Sequence, residues 1–459
     1  MRPHLAFPAL CLSAALALGI AQTETPKPAP SDVPKPTAAR ETPPDQTAFS
    51  EAGKVTDPAK KIEALEKFKA DFPDSNMRSS ADSAILSTLV KKFPDQQRRI
   101  MKQAKVMYAH AEARSQGSVA NQIALEFLEA GRFLGDAESY AKKGVADMQE
   151  GRYVAEQRAS AEKRKQKPPS NEDIEKRYHE ARASRIATLG RIEIARGQTA
   201  RGQKLLEEAW AANPSLVVVG ATLGELAYKA GNDAKAMEYL VPARLSGRAT
   251  AGANLALEEL YKKQHSGSVD GLDAMLDAQY RKLYPNPIAV QEYHRTEKRS
   301  DRLVLAEVFT GSGCPPCVGA DLAFDAAMER FSPKDVAIVM YHVHVPRPDP
   351  MTNLDTTALY KSNDVHGVPS YAIDGKLLGG GGGPRDYAKT VFDRVVPPIE
   401  KDLELPAEAK LTAHAAISGN HVNVTGTVDG IAGQSEDLKV QVLLVEKEIR
   451  YTGENGIRF

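Results

Sequence analysis

Leu303-Val304-Leu305-Ala306-Glu307-Val308-Phe309-Thr310-Gly311-Ser312-Gly313-Cys314-Pro315-Pro316-Cys317 is the stretch on which the reading of this chain turns. The apolar run 303–309 predicts a strand, Thr310 to Gly313 a turn, and residues 317–330 an amphipathic helix. Cys314 and Cys317 stand in C-x-x-C spacing, so one tight turn brings their sulfurs within reach of each other, to join and part. The only other cysteine, Cys11, falls in an apolar N-terminal stretch that reads as a secretory signal. An exported chain that keeps two thiols in this spacing is expected to use them for redox chemistry.

Working outward, residues 335–345 read as a second, strongly apolar strand. Residues 370–373 and 376–378 read as a hairpin about Asp374-Gly375, and Pro384 opens a helix to about 396. The order strand, helix, strand, connection, hairpin, helix predicts an α/β sandwich. Gly379–Gly383 lacks the Lys-Ser/Thr of a phosphate loop and reads as a flexible connection.

At a helix N-terminus, unpaired N–H groups and the positive dipole end favour the Cys314 thiolate. That thiolate attacks a disulfide and Cys317 resolves the mixed disulfide. Pro315 and Pro316 carry no N–H, so the amides that would donate to the thiolate are missing. This predicts a reducing or intermediate couple. Two other readings stay open: a purely structural disulfide, and a zinc or copper site in which His342 and His344 join the two thiols. His342-Val343-His344 also fits a plain strand end with both rings on one face.

Two local motifs resemble the thioredoxin superfamily over roughly 100 residues, 296–400. One is the strand leading through Thr310-Gly311-Ser312-Gly313 into Cys314-Pro315-Pro316-Cys317 and a helix. The other is Gly367-Val368-Pro369-Ser370 ahead of the hairpin. The resemblance implies a thiol–disulfide oxidoreductase without cofactor, with Cys314 and Cys317 catalytic and Pro369 cis and facing the disulfide. Val368 is similar to the residue at that position in strongly oxidising periplasmic members, a cue opposed to the proline pair. The sequence departs from thioredoxin at Gly313, where tryptophan is usual, and at Val308, where a buried acid is usual. Glu307, in a Glu-x-Phe-Thr lead-in that resembles some secreted thioredoxin-like families, is a candidate for proton transfer to Cys317. A surface or capping carboxylate is the alternative.

From about 57 to 284 the pattern is helical; Ile62, Leu65, Phe68 and Phe72 form one face. Leu189, Gly190, Gly197, Gly202, Leu206 and Ala209 recur as Leu223, Gly224, Gly231, Ala236, Leu240 and Ala243, each pair 34 residues apart. These small and large positions resemble the tetratricopeptide repeat, and a looser copy surrounds Ala130-Gly131. The resemblance implies a surface for a protein partner. An ordinary helical bundle is the plainer alternative. The polar stretch 157–185 reads as a solvated helix extension broken at Pro168-Pro169 and restarted by Ser170-x-x-Asp173.

The expected organisation is therefore multidomain: signal peptide 1–21, Pro-rich linker 22–50, helical tetratricopeptide-like region 51–295, α/β thioredoxin-like domain 296–400, and a short β segment 408–459. In that last segment 411–417, 421–428 and 439–447 are strand candidates. With 60 basic and 60 acidic residues the net charge is zero, which removes any global electrostatic case for nucleic acid. No segment after the signal is long and apolar enough to span a bilayer. The function expected is a periplasmic or secreted thiol–disulfide oxidoreductase acting on protein disulfides, with an unidentified redox partner and a helical arm for protein binding. The alternatives are a non-catalytic interaction scaffold and a copper- or zinc-handling protein.

Overall fold

The computed structural model describes residues 43–431 and 439–459, and these fall into two compact units that divide between Ala230 and Gly231. The expected signal peptide and residues 22–42 of the expected linker lie outside the described residues.

The unit ending at Ala230 is all helical: α1 (Pro44–Lys54), α2 (Pro58–Asp71), α3 (Arg78–Lys92), α4 (Gln97–His110), α5 (Gln116–Glu129), α6 (Leu134–Ala146), α7 (Glu150–Lys163), α8 (Asn171–Ala195), α9 (Thr199–Ala212) and α10 (Val217–Lys229). Helix α1 begins inside the stretch expected to be linker. Pro43 takes the N-cap and Pro44 the first helical position, where a missing N–H is harmless, and Asp45 faces the positive dipole end. Ser170 starts α8 as its spacing predicts, its Oγ accepting from the Asp173 N–H at 3.1 Å. Ile62, Leu65 and Phe68 of α2 are buried with Leu86, Ile100 and Phe127 in one core. Each large side chain there contributes about 1.5–3 kcal/mol. Helices α8 and α9 meet at glycine: a Cβ on Gly202 would stand 2.5 Å from the Gly190 carbonyl oxygen. Gly197, at φ 84°, makes the turn between them.

The unit from Gly231 opens with α11 (Asp233–Leu245), α12 (Ala251–Gln264) and α13 (Leu272–Leu283). It continues through β1 (Val304–Thr310), α14 (Cys317–Arg330), β2 (Val336–His342), α15 (Leu354–Ser362), β3 (Ser370–Ile373), β4 (Lys376–Gly380) and α16 (Ala388–Leu403). A mixed sheet runs in the order β2-β1-β3-β4. β1 and β2 are parallel, Thr310 opposite His342, with α14 as the crossover. β3 is antiparallel to β1, Phe309 opposite Ser370, and β4 is antiparallel to β3.

One face of this sheet, with Ala306, Val308 and Tyr371, packs under α14 and α16. Phe309, Tyr341 and Val365 form a second cluster, with Leu359 and Tyr360 of α15 against it. Cover on both faces explains why 303–309 is nearly continuously apolar. Asp374 and Gly375 have φ of 44° and 73°, the positive values a tight β-turn requires. The Asp374 carboxylate accepts from the Leu305 N–H at 2.8 Å and from Arg302 Nη2 at 2.7 Å, fixing the hairpin to β1.

Beyond the start of α1, the elements depart from expectation in three places. The connection after β2 contains α15, started by a reciprocal Asn353–Thr356 capping box. The helix opened after Pro384 does not stop at 396 but crosses Pro397-Pro398 to Leu403. Val391, Val395, Ile399 and Leu403, four apart, are all buried. Burying Ile399 and Leu403, worth about 1.5–3 kcal/mol each, works against the roughly 3 kcal/mol that each of the two interior prolines costs. Residues 439–447 form no strand. Among the described residues of that segment the strands are β5 (Lys410–Ser418) and β6 (His421–Asp429), an antiparallel pair, while Leu443 packs against the Phe309–Tyr341 cluster. No helix among the described residues is long and apolar enough to cross a membrane.

Candidate redox site

β1 carries the chain to Thr310, fully buried, and the backbone then turns, Cys314 N–H donating to the Gly311 carbonyl at 3.0 Å. Pro316 is the N-cap of α14 and Cys317 its first residue, so Cys314 precedes the helix rather than lying in its first turn. Cys314 and Cys317 form a disulfide, S–S 2.07 Å, with Cα atoms 5.3 Å apart. Cys314 is 2% exposed and Cys317 not at all. Cys314 Sγ is 3.9 Å from the Val368 carbonyl oxygen, and the Val368–Pro369 peptide is cis. The sequence-predicted residues Cys314, Cys317, Val368 and Pro369 therefore meet in one place.

The proline pair acts on donors. Cys317 N–H donates to the Cys314 carbonyl at 3.2 Å and Val318 N–H to the Pro315 carbonyl at 3.4 Å. With no N–H on Pro315 or Pro316 and these amides committed to carbonyls, the turn offers a thiolate little donor support. The glycine run is not a flexible connection. Gly383 N–H donates to the Pro316 carbonyl at 2.7 Å, and the Gly383 carbonyl accepts from Gly319 at 2.9 Å. A Cβ on Gly382 would stand 2.0 Å from the Pro316 oxygen and 2.7 Å from Pro369 Cγ. The run is a fitted wall that only glycine can form.

Glu307 is neither a surface nor a capping carboxylate. It is 9% exposed and accepts from Tyr341 OH at 3.0 Å. Burial raises its pKa, the Tyr341 bond working against it. Strand alternation puts it on the face of Phe309, away from α14 and Cys317. The histidines are not brought to the sulfurs. His342 Nδ1 lies 3.1 Å from Asp349 Oδ2, and His344 Nδ1 accepts from the Asp349 N–H at 3.0 Å. His342 is buried and His344 exposed. Among the described residues no group of three or more His, Cys, Asp or Glu is placed to hold a metal ion.

Two carboxylates missed in the sequence flank the turn. Asp349 Oδ2 accepts from the Ser312 N–H at 2.5 Å and Oδ1 from Met351 N–H at 2.9 Å. Burial pushes its pKa up, but these bonds and the one with His342 outweigh it and hold the group at about 2. Asp321, one helical turn after Cys317 on α14, is 1% exposed. Thr310 Oγ1 donates to its Oδ1 at 2.7 Å, while Oδ2 is buried with no hydrogen-bond partner. Burial raises its pKa well above the usual carboxylate range, against the pull of Thr310. The i, i+4 spacing from Cys317 was the one sequence signal for it.

Asp321 has a measurable signature. Its native pKa exceeds its unfolded value of about 3.9, so the native state binds the proton more tightly and stability falls as pH rises above that value. Asp321→Asn keeps an oxygen for Thr310 and cannot ionise. Its melting temperature should exceed the wild type's by more at pH 8 than at pH 4, the added gain being at least about 2–4 °C per kcal/mol recovered. Parallel melting curves across that range would remove the buried-acid assignment.

No protein-family model and no curated protein matches this chain.

Proposed function

We propose that this chain is an exported thiol–disulfide oxidoreductase of the thioredoxin type, with a tetratricopeptide-like helical region that binds a protein partner. The observation that carries the reading is the Cys314–Cys317 disulfide at the β1–α14 junction, set against the cis Val368–Pro369 peptide. The strand order β2-β1-β3-β4, with one parallel and two antiparallel pairings, supports it. The close glycine crossing of α8 and α9 and the turn at Gly197 support the repeat.

In the reduced protein the Cys314 thiolate attacks one sulfur of a substrate disulfide. A mixed disulfide forms and the other substrate sulfur leaves as a thiolate. Cys317 then attacks Cys314 Sγ, restoring the internal disulfide and releasing the second substrate thiolate. Two electrons pass to the substrate, and a dithiol partner must return them. Asp321, one helical turn from Cys317 on α14, is the candidate to take its proton.

Equilibration with glutathione tests the direction. The weak donor support at the turn argues for a reducing or intermediate couple, with a potential nearer to about −270 mV than to about −120 mV as the expected result. A value at the oxidising end would defeat the proline argument. In parallel, Cys317→Ala should accumulate mixed disulfides with partner proteins, and an absence of such adducts would count against the enzyme reading.

A further inference from the structure

Residues 451–459 form a small loop hairpin closed by the Thr452–Arg458 bridge. Phe459 N–H donates to the Tyr451 carbonyl at 2.8 Å and Gly453 N–H to the Ile457 carbonyl at 2.8 Å. Its tip lies on the redox turn. Asn455 N–H donates to the Ser312 carbonyl at 3.0 Å, and Asn455 Nδ2 is 3.4 Å from the carbonyl oxygens of both Gly311 and Cys314. Gly453 approaches so closely that a Cβ there would stand 2.5 Å from the Ser312 oxygen. Ser312 is thus held from both sides, its N–H by Asp349 and its carbonyl by Asn455.

Body and tip are fastened differently. Ile457 is 2% exposed in the sheet core, and Arg458 donates to Asp273 and Asp277 of α13. The tip is held by the two 3.4 Å contacts, by Asn455 N–H, and at Glu454 by the exposed Arg347 at 2.6 Å and by Arg248 on the Glu454 carbonyl. An exposed ion pair is worth about 0–1 kcal/mol. Glycines at 453 and 456 bracket the tip, so its backbone can turn while the body stays in place. Cys314, whose carbonyl oxygen the tip's Asn455 touches, is 2% exposed, and an attacking thiolate must come within bonding distance of its sulfur.

We propose that the tip 453–456 is a gate: it holds the redox turn shut over the Cys314–Cys317 disulfide, and a thiol reaches Cys314 only when the tip lifts. This rests on the redox reading above, but its test uses a small reductant and no protein substrate. A dithiothreitol thiolate attacks Cys314 Sγ, forming a mixed disulfide and expelling Cys317 as a thiolate. The second dithiothreitol thiol then displaces Cys314 as a thiolate and closes the oxidised ring, so two electrons pass from dithiothreitol to the pair.

The experiment follows reduction of the full chain by alkylation and mass shift in wild type, Gly453→Ala and Asn455→Ala. Gly453 does not occupy the left-handed region, so its substitution acts through clashes, with the Ser312 oxygen at 2.5 Å, Asn455 Oδ1 at 2.6 Å and Phe459 Cε2 at 3.2 Å, all of which push the tip off the turn. The second-order rate constant should rise at least about fivefold in both variants, equivalent to about 1 kcal/mol. Equal rate constants in all three proteins would overturn the gate. Wild type alone gives a second measurement: at millimolar dithiothreitol, reduction must be slower than deuterium exchange of the Asn455 amide. Reduction that outpaces this exchange would equally overturn it. If the rates change as expected while insulin is not reduced, the gate stands and the enzyme reading falls.

Discussion

Cys314→Ser should leave the fold intact and bring disulfide-reducing turnover down to the uncatalysed background. A serine hydroxyl stays protonated at neutral pH and does not attack sulfur, so no mixed disulfide forms. Cys317→Ala differs in kind, because Cys314 can still attack once and then stalls. The cost in stability is small, since the disulfide closes a loop with a sequence separation of 3 and such short loops contribute less than about 3 kcal/mol. An insulin-reduction assay with a thermal melt on the same samples checks both halves. Turnover that survives in Cys314→Ser would move the chemistry elsewhere in the chain and reduce the disulfide to a structural link.

Gly382→Val should unfold the redox site at far lower temperature than wild type. The added Cβ meets the Pro316 oxygen at 2.0 Å, the Pro316 carbonyl carbon at 3.0 Å and Pro369 Cγ at 2.7 Å. Backbone and a proline ring cannot swing aside, so the run must leave and the Gly383–Pro316 hydrogen bond breaks with it. Overpacking of this kind costs about 1–3 kcal/mol, and the stranded carbonyl adds to it. For a unit of this size the overpacking alone is a fall of about 2–12 °C. Gly313→Ala is the matched control: it adjoins Cys314, yet nothing lies within 4 Å of its added Cβ. It should melt within about 0.5 kcal/mol of wild type. Equal losses in the two variants would mean that the glycine run carries no special constraint.

Much of the sheet was legible because its signals are local. Asp374-Gly375 specifies a turn with two positive φ values, and the C-x-x-C marks where β1 gives way to α14. Gly190 and Gly202 were legible as small residues at a 34-residue spacing from Gly224 and Ala236, and the structure brings the two glycines together. What stayed hidden depends on residues distant in sequence. Asp321 reads as an ordinary helix carboxylate until Thr310 is placed against it. Asp349, in a Pro-Asp-Pro loop, gains its role only when Ser312 is 2.5 Å away. Glu307 stands one residue before Val308, so strand alternation alone turns it to the other side of the strand, and the packing of α14 over Val308 and α15 over Phe309 agrees with that. Pro397 and Pro398 misled because the local cost is real, but buried side chains beyond them work against it.

Asn455 reaches Gly311 across 144 residues of chain and Cys314 across 141. A growing polypeptide lengthens at about 5–20 residues per second, so the two thiols exist for roughly 7–30 s before the residue that pins their turn has been made. The turn must therefore form first from its own local contacts, Cys314 N–H on the Gly311 carbonyl among them, and Asn455 fastens it only after the intervening chain has been made.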